Sequence, residues 1–561
     1  MRARKTGQNF FIFGLIFLCL LYLGFEFFIN SYSMLSVDEF WFAHRIYEYK
    51  DNLPYRDFAP YKTVIGYYLL LIPMSFTNGI IGTLVFTKNT LAVLNALIFF
   101  STSIWLTRFF SRLAVITSLA LLISSDVVLS FSTNIRVDLL AYWLCFFSLL
   151  FLLENRYLLA GILIGLGFAT SQKALWYLLA SNCALAIYWL VVTRDRRLIW
   201  NMACFNLAAL MVVILYIVFW SWIANWHTVV TSMFSEAAAM YNLDWYTPAR
   251  WMYWSYTLIY NPLLFLLWPL SLVSLFITDK DDKSYRQRVF VTVYAFTVLF
   301  CLIPYKQVFP YYMQVTIPVF FVLYSAFFTW IIDVLKPHRA ITALISIATI
   351  LFGLAYPLTL FAAKLINNNG TYQKVNIETL NKLLHDGSDY IAGVDLIYNK
   401  SQPIAGMKHL MGPAISFLYA PSNKLKSVML PSLDEDPNAT IASVIAALNK
   451  SSVKFYVNNY RMRALPPEIK SYLASQFEHL WGSIYIYAPT VPAGKSTINI
   501  KFSGKYLIEH NNHSPGSFVY LEKGQYSFTA NNAYRLKLIP ENVSFIQDAD
   551  FQNDHWEKIT Y

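Results

Sequence analysis

Long apolar runs fill the first two-thirds of the chain and constrain its fold more than any other feature. One run follows another from Phe10 to Ala363, and the composition becomes ordinary after Asn367. A helix needs roughly 20 apolar residues to cross the lipid core, where no water is present to bond with backbone groups. The pattern predicts a polytopic α-helical membrane protein. The first run, Phe10–Ile29, is predicted to be a retained anchor rather than a cleaved signal peptide.

The composition agrees with burial in lipid. The 561 residues are 57% apolar and only 13% charged, whereas soluble domains carry about a quarter charged residues. The net charge of +11 does not indicate nucleic-acid binding, because the basic residues punctuate the apolar runs instead of gathering in one segment. The five cysteines all lie in or beside apolar runs, which argues against a disulfide-stapled tail or a Cys-based zinc site there.

The distribution of basic residues predicts a topology. Arg2, Arg4 and Lys5 precede the first run and should hold the N-terminus in the cytoplasm. Counting runs from there gives about eleven spans, with short basic turns on the cytoplasmic side. An odd number of spans places the C-terminal tail outside. We therefore expect an integral protein of a bacterial inner (plasma) membrane with a periplasmic or extracellular tail.

Four regions follow from these patterns. Residues 1–9 form a cytoplasmic N-terminus, and residues 10–364 form the transmembrane region, with a first outer loop at 30–88. Helix-like and strand-like patterns alternate over 365–489 and predict a soluble α/β domain. Short alternating strands separated by Gly, Pro and Asn over 490–561 predict a small all-β module.

Charged residues inside or against a membrane are costly and are therefore functional candidates. The acidic pair Asp38-Glu39 directly follows the first span and opens an amphipathic helix, whose N-terminus favours carboxylates. Charge alone leaves structural and functional roles for this pair open. The charged candidates on the predicted outer side are Asp38, Glu39, Arg56, Asp57, Lys62, Arg136, Asp138, Lys173, Asp244, Arg250 and Lys306.

The loop after the first span resembles the first outer loop of GT-C glycosyltransferases, such as protein O-mannosyltransferases and the aminoarabinose transferase that modifies lipid A. The family has an acidic pair here, matched by Asp38-Glu39. Many bacterial members continue with a G-x-x-P-Y-x-D-x-x-x-x-K-P-P-L-x-Y stretch. Asn52–Asp57 and Lys62 are similar to it, while Thr63-Val64 replace the two prolines.

Three later stretches extend the resemblance over residues 8–364. N-I-R-V-D-L-L resembles an R-x-D-x-L stretch, and A-T-S-Q-K resembles a T-K-G turn with Lys173 as its lysine. P-Y-Y-M-Q-V-T-I-P resembles a late R-Y-Y-x-x-x-x-x-P span, with Tyr311, Tyr312 and Pro318 matching and Lys306 as a loose basic counterpart. The four stretches occur in the family's order and on one predicted side.

The resemblance implies an inverting hexosyl- or pentosyltransferase of the GT-C type. Such an enzyme moves a sugar from a polyprenyl-phosphate donor to an extracytoplasmic lipid, glycan or protein acceptor. Asp38 is predicted to take the acceptor's proton, with Glu39 or Asp138 in support. Lys62 is predicted to hold the leaving phosphate, together with Arg250 and Tyr311.

Other interpretations stay open at this point. Lys62 could extend to lipid headgroups, the Arg136–Asp138 pair could fix two helices, and Tyr311 could belong to an interfacial aromatic belt. A transporter or flippase of a lipid-linked sugar is the alternative function, although no internal repeat favours it. No cofactor is predicted with certainty, and a divalent cation (Mg²⁺ or Mn²⁺) is left open. His44 and His227 lack the spacing of metal ligands, so no metal-binding residue is predicted.

Overall fold

The structure is a computed structural model. It describes residues 2–58, 60, 62–235, 250–276, 283–304, 310–335, 339–367, 370–400, 440–463, 465–510 and 517–540.

Two compact units make up the chain. The first, the helical unit, comprises Met1–Ser33, Tyr49–Asn78 and Gly82–Asn367. The second, the C-terminal unit, comprises Met34–Glu48, Gly79–Ile81 and Asn368–Tyr561. The first outer loop that the sequence predicts, 30–88, is thus divided between both units.

Seventeen helices precede residue 370 in the described part of the chain, and all but α2 lie wholly or almost wholly in the helical unit. They are α1 Arg2–Tyr32, α2 Val37–Glu48, α3 Ile65–Met74, α4 Ile80–Leu106, α5 Arg112–Ile123, α6 Asp126–Phe131, α7 Asp138–Leu153, α8 Tyr157–Thr170, α9 Ala174–Tyr188, α10 Arg196–Ile223, α11 Trp226–Val230, α12 Arg250–Tyr260, α13 Pro262–Leu270, α14 Val273–Phe276, α15 Lys283–Leu302, α16 Thr316–Val334 and α17 Arg339–Asn367. Single turns of π-helix at Trp189–Thr193 and Thr231–Ser235 and of 3₁₀ helix at Pro310–Val315 join them.

Six of the described helical segments are long and apolar enough to cross a membrane. A seventh span results if the pair Trp254–Tyr260 and Pro262–Phe276, bent by 97°, counts as one. The count of about eleven spans is not confirmed. Three apolar runs that entered that count form helices of 12 to 16 residues, namely α5, α7 and α8, and these are shorter than the roughly 20 residues of a full span.

Small residues bring α8 and α10 into close contact. A Cβ atom at Gly161 would lie 2.2 Å from the carbonyl oxygen of Phe205, and one at Gly165 would lie 2.7 Å from Cβ of Val212. Helices in lipid associate mainly through close packing, and glycines four residues apart allow their backbones to approach. This contact fixes α8 and the turn that follows it, Ser171–Lys173.

A buried polar network ties α1 to the turn after α6. The fully buried Glu26 carboxylate accepts hydrogen bonds from Ser132 (3.1 Å) and Thr133 (3.0 Å). The amide of Asn95 on α4 donates to the Ser132 carbonyl at 2.9 Å. Since buried polar groups are costly unless paired, these bonds hold the segment that leads into Arg136.

The described part of the C-terminal unit contains three sheets. The first has the strand order β1-β2-β4-β3, in which β1 and β2 are parallel and the other pairs antiparallel. The others are antiparallel, with orders β5-β10-β7-β8 and β6-β9. The strands are β1 Asp389–Ile391, β2 Val453–Val457, β3 Phe477–Trp481, β4 Ile484–Tyr487, β5 Thr490–Val491, β6 Gly494–Ile500, β7 Gly504–His510, β8 Phe518–Leu521, β9 Gly524–Ala530 and β10 Tyr534–Leu538. The helices are α18 Thr371–Leu383, α19 Ile441–Lys450, α20 Tyr460–Arg463 and α21 Pro467–Gln476, with a 3₁₀ turn at Leu384–Asp386.

Helix α2 belongs to this C-terminal unit. The Gln373 side chain on α18 accepts from the Leu35 N–H at 2.8 Å and donates to the Leu35 carbonyl at 2.9 Å. His44 Nδ1 lies 2.7 Å from the carbonyl oxygen of Tyr398. These buried contacts hold the start and the middle of α2 to residues that follow it by more than 300 positions in the sequence.

Candidate functional site

The buried carboxylate of Asp138, the first residue of α7, organises a cluster of polar residues. Its Oδ2 accepts a hydrogen bond from Lys173 Nζ at 2.9 Å and lies 3.5 Å from Arg136 Nε. Its Oδ1 accepts from the Ser171 hydroxyl at 2.9 Å. The side chain of Asp138 is only 4% exposed, so its charge is neutralised by these partners rather than by water.

Two tyrosines cover the cations of this cluster. The guanidinium of Arg136 lies 3.7 Å from the ring centre of Tyr311, and Lys173 Nζ lies 3.9 Å from that of Tyr312. The two rings stack on each other at 4.9 Å. The 3₁₀ turn that carries them is held by the Tyr177 hydroxyl, which donates to the Val315 carbonyl at 2.5 Å. We call Arg136, Asp138, Ser171, Lys173, Tyr311 and Tyr312 the Asp138 cluster.

Lys62 adds a further positive charge that acts on Asp138. The Tyr55 hydroxyl donates to the Lys62 carbonyl at 2.8 Å and lies 2.8 Å from the Tyr216 hydroxyl on α10. Tyr216 in turn accepts the Val64 N–H at 2.9 Å. The backbone on both sides of Lys62 is therefore fixed to α10.

The loop before Lys62 is organised by residues of the P-Y-x-D stretch. Asp57 accepts the Leu53 N–H at 2.8 Å and an Arg56 N–H at 2.8 Å. The hydrogen bond from Arg56 is the main reason that the pKa of Asp57 falls to about 2. Tyr55 has a positive φ of 65°, a conformation that non-glycine residues adopt at a cost of order 1–3 kcal/mol. In this stretch Tyr55 and Asp57 shape the loop that leads to Lys62.

Together with Lys62, the Asp138 cluster suits an anion better than a cation. Lys62, Arg136 and Lys173 carry three positive charges, and Asp138 carries one negative charge. Helices α7 and α9 also begin at this cluster, at Asp138 and Ala174, and helix N-termini favour negative charge. A carboxylate held between two cations is a weak base, because its neighbours stabilise the charged form. The arrangement can therefore bind phosphate more readily than it can accept a proton.

The acidic pair has a different environment. Glu39 is buried, and its carboxylate accepts the Ser36 N–H at 2.8 Å while its own N–H bonds to the Ser36 hydroxyl at 3.3 Å. This reciprocal arrangement is a capping box that stabilises the start of α2. Asp38 lies half-buried on the first turn of the same helix. The catalytic assignments of Asp38 and Glu39 stay predictions.

The other predicted residues divide into two groups. Asp138, Lys62 and Tyr311 come together in the helical unit, as described above. Arg250 begins α12, but its side chain lies outside the described part of the structure, as do Asp244 and Lys306. Their predicted roles are therefore untested.

Sequence reasoning did not identify Ser171 as a site residue and did not assign roles to Arg136 and Lys173. The R-x-D-x-L and T-K-G stretches contain both cations, so the signal for them was present. For Ser171 the available signal was a hydroxyl in a polar turn between two apolar helices, which is weak.

The divalent cation that the sequence left open stays a prediction. Among the residues that the structure describes, no group of three or more His, Cys, Asp and Glu side chains is close enough to hold a metal ion. The Asp138 cluster contains one carboxylate and two cations, which do not fit Mg²⁺ or Mn²⁺.

Comparisons with known proteins show the fold. No family model and no curated protein matches the sequence. The apo crystal structure of the Archaeoglobus fulgidus oligosaccharyltransferase matches with a TM-score of 0.50 at 11% identity, covering 94% of this chain and 76% of that one. The same enzyme in complex with Zn and sulfate matches with a TM-score of 0.48 at 11% identity, covering 92% and 73%.

The predicted fold is confirmed at a coarse level. The likeness to the apo oligosaccharyltransferase shows the fold and does not distinguish the O-mannosyltransferase and aminoarabinose transferase subtypes. The apolar spans and this likeness together establish an integral membrane protein whose fold is similar to that of an oligosaccharyltransferase.

Proposed function

We propose that the protein is an inverting glycosyltransferase that moves a sugar from a polyprenyl-phosphate donor to an acceptor outside the cytoplasm. The fold likeness supports a transferase that uses a lipid-linked sugar. The observation that carries the proposal is the convergence of three cations, Lys62, Arg136 and Lys173, from three separate segments of the chain on Asp138. The acceptor is a lipid, a glycan or a protein with a free hydroxyl or amine.

The residues support a single displacement. The acceptor oxygen or nitrogen attacks the anomeric carbon as the bond from that carbon to the phosphate oxygen breaks. The phosphate leaves with the bonding electrons, and Lys62, Arg136 and Lys173 offset its growing negative charge. One displacement inverts the anomeric configuration. The acceptor's proton passes to a carboxylate, for which Asp38 is the proposed base.

Asp138 has a positioning role in this proposal. Its bonds to Lys173 and Ser171 and its ion pair with Arg136 hold these groups in one geometry. Removing this carboxylate would take a counter-charge away from the buried Arg136 and the half-buried Lys173, which is costly. Its predicted catalytic role is thus proposed as organisation of the phosphate site rather than proton transfer.

We place the enzyme in a bacterial inner membrane with its N-terminus in the cytoplasm and its tail outside. The basic residues before α1 and in the turn Arg194–Arg197 support this orientation.

Donor binding and transfer should respond differently to two substitutions. Lys62→Ala should weaken binding of a polyprenyl-phosphate sugar about tenfold or more, because a charge-assisted contact contributes about 1.5–3 kcal/mol. Asp38→Asn should lower single-turnover transfer by about 10²–10⁴-fold with little change in donor affinity. Both are measured on the purified full-length protein in nanodiscs.

Lys50→Ala and Asp51→Asn are matched controls, because both residues are exposed in the same outer segment. They should leave binding and transfer unchanged. Near-normal transfer by Asp38→Asn would remove the base assignment, and unchanged donor binding by Lys62→Ala would remove the phosphate assignment. If both variants behave as wild type and the protein moves the donor across vesicles, the transporter alternative replaces the proposal.

A further inference from the structure

A second polar pocket lies at the opposite ends of the helices that carry the Asp138 cluster. Asp138 begins α7 and Lys173 precedes α9, whereas this pocket is formed by the last turn of α7, Tyr188 at the end of α9 and Arg286 in the first turn of α15. Helix α7 has 16 residues, so the two places are separated by about 24 Å along it at 1.5 Å per residue. We call this cavity the Arg286 pocket.

The Arg286 pocket combines donors with an apolar wall. Its volume is about 200 Å³, room for several water molecules at about 30 Å³ each. Polar side chains that line it are Arg286, Gln287, Asn155, Tyr157 and Tyr188. Leucines at the ends of α7 and α9, together with Phe290, form the apolar wall.

Among the residues that line this pocket, Arg286 carries a positive charge and none is acidic. Arg286 acts electrostatically on the Tyr188 hydroxyl. Glu154, which directly precedes Asn155, does not line the pocket. Its carboxylate accepts hydrogen bonds from Arg108 at 2.5 Å and from Trp105 at 2.8 Å. Residues 277–282, before α15, lie outside the described residues.

These features match a phosphate group joined to a hydrocarbon chain. A guanidinium pairs with phosphate through parallel N–H donors, and hydroxyl and amide groups add further donors. The apolar wall would cover the first part of a lipid chain, and basic pockets between membrane helices are a known way to hold lipid head groups. A free anion would gain nothing from Phe290 and the leucines.

We propose that the Arg286 pocket binds the phosphate of an anionic lipid, on the membrane face opposite to the Asp138 cluster. The ligand is either a phospholipid with no cationic head group or a polyprenyl phosphate, which share this chemistry. The site is separate from the proposed transfer reaction and does not depend on it.

The test is binding of fluorescent phosphatidylglycerol to the purified full-length protein in detergent. Arg286→Gln should weaken this binding about tenfold, because it removes one charge-assisted contact. Arg286→Lys should restore part of the affinity, since it keeps the charge without the fork of donors. Arg196→Gln is the matched control and should bind as wild type, because Arg196 is exposed like Arg286 but does not line the pocket.

A competition experiment identifies which lipid carries the bound phosphate. Unlabelled phosphatidylglycerol or undecaprenyl phosphate should displace the probe, and the stronger competitor identifies the ligand. Phosphatidylcholine and inorganic phosphate should not displace it at the same concentrations. Equal displacement by phosphatidylcholine, displacement by inorganic phosphate alone, or equal effects of the Arg286 and Arg196 substitutions would each overturn the proposal.

Discussion

At the scale of single residues, Gly66 determines how closely α3 approaches the Asp138 cluster. A Cβ atom at Gly66 would lie 2.6 Å from Cβ of Val137 and 3.0 Å from Cγ2 of Thr170. Val137 directly precedes Asp138, and Thr170 directly precedes Ser171. Lys62 lies four residues before Gly66, just outside α3, so a displaced α3 would also displace the lysine.

Gly66→Ala should therefore weaken donor binding in the same direction as Lys62→Ala. Overpacking of this kind costs about 1–3 kcal/mol of stability. Gly82→Ala on α4 is the matched control, because a Cβ atom there would meet nothing within 4 Å. Thermal unfolding and donor binding of both variants provide the measurement. Wild-type values for Gly66→Ala would show that this contact does not position Lys62.

Some of the residues of the candidate site could be predicted from the sequence. Charged residues are rare in apolar segments, so Asp138, Arg136, Lys62 and Lys173 were all recognisable as candidates. Their mutual contacts were not, because each pair depends on how α3, α7 and α9 pack. The ion pairs of Asp138 are likewise a property of its neighbours and not of its position in the chain.

At the scale of elements, helix α2 shows how a short segment can belong to a distant part of the chain. Gln373 satisfies both backbone groups of Leu35, which is 1% exposed. Leaving one buried backbone group unsatisfied costs about 1–3 kcal/mol. The pair of bonds thus attaches the start of α2 to α18.

Gln373→Ala should destabilise this attachment and increase hydrogen exchange across Val37–Glu48. Hydrogen-exchange mass spectrometry of the full-length protein measures this directly. Glu378→Ala, at an exposed position on the same helix, serves as the control and should leave exchange unchanged. Protection of α2 at the wild-type level in Gln373→Ala would mean that other contacts suffice to hold it.

At the scale of the whole molecule, the proposed topology places the tail and the basic turn before α10 on opposite sides of the membrane. Single cysteines, introduced into a variant that lacks the five native ones, show on which side of the membrane each position lies. Glu522→Cys in the exposed tail should react with an impermeant maleimide in intact cells, and Arg196→Cys should react only after permeabilisation. Labelling of Arg196→Cys in intact cells would contradict the proposed orientation.

The sequence by itself determined that the chain enters a membrane, because the requirement for about 20 apolar residues per span is local and can be read directly. It also determined which charged residues were worth considering, since each one in an apolar region has a cost. Strand patterns in the tail have a period of two residues and are local in the same way.

Only the tertiary structure decided which segments meet. It brought Lys62, Asp138, Lys173 and Tyr311 together from four segments and assigned α2 to the C-terminal unit. It also separated full spans from helices of 12 to 16 residues. The physical reason is that helix contacts depend on shape complementarity, such as the glycine contacts of α8 with α10, and periodicity along one segment carries no information about its partner.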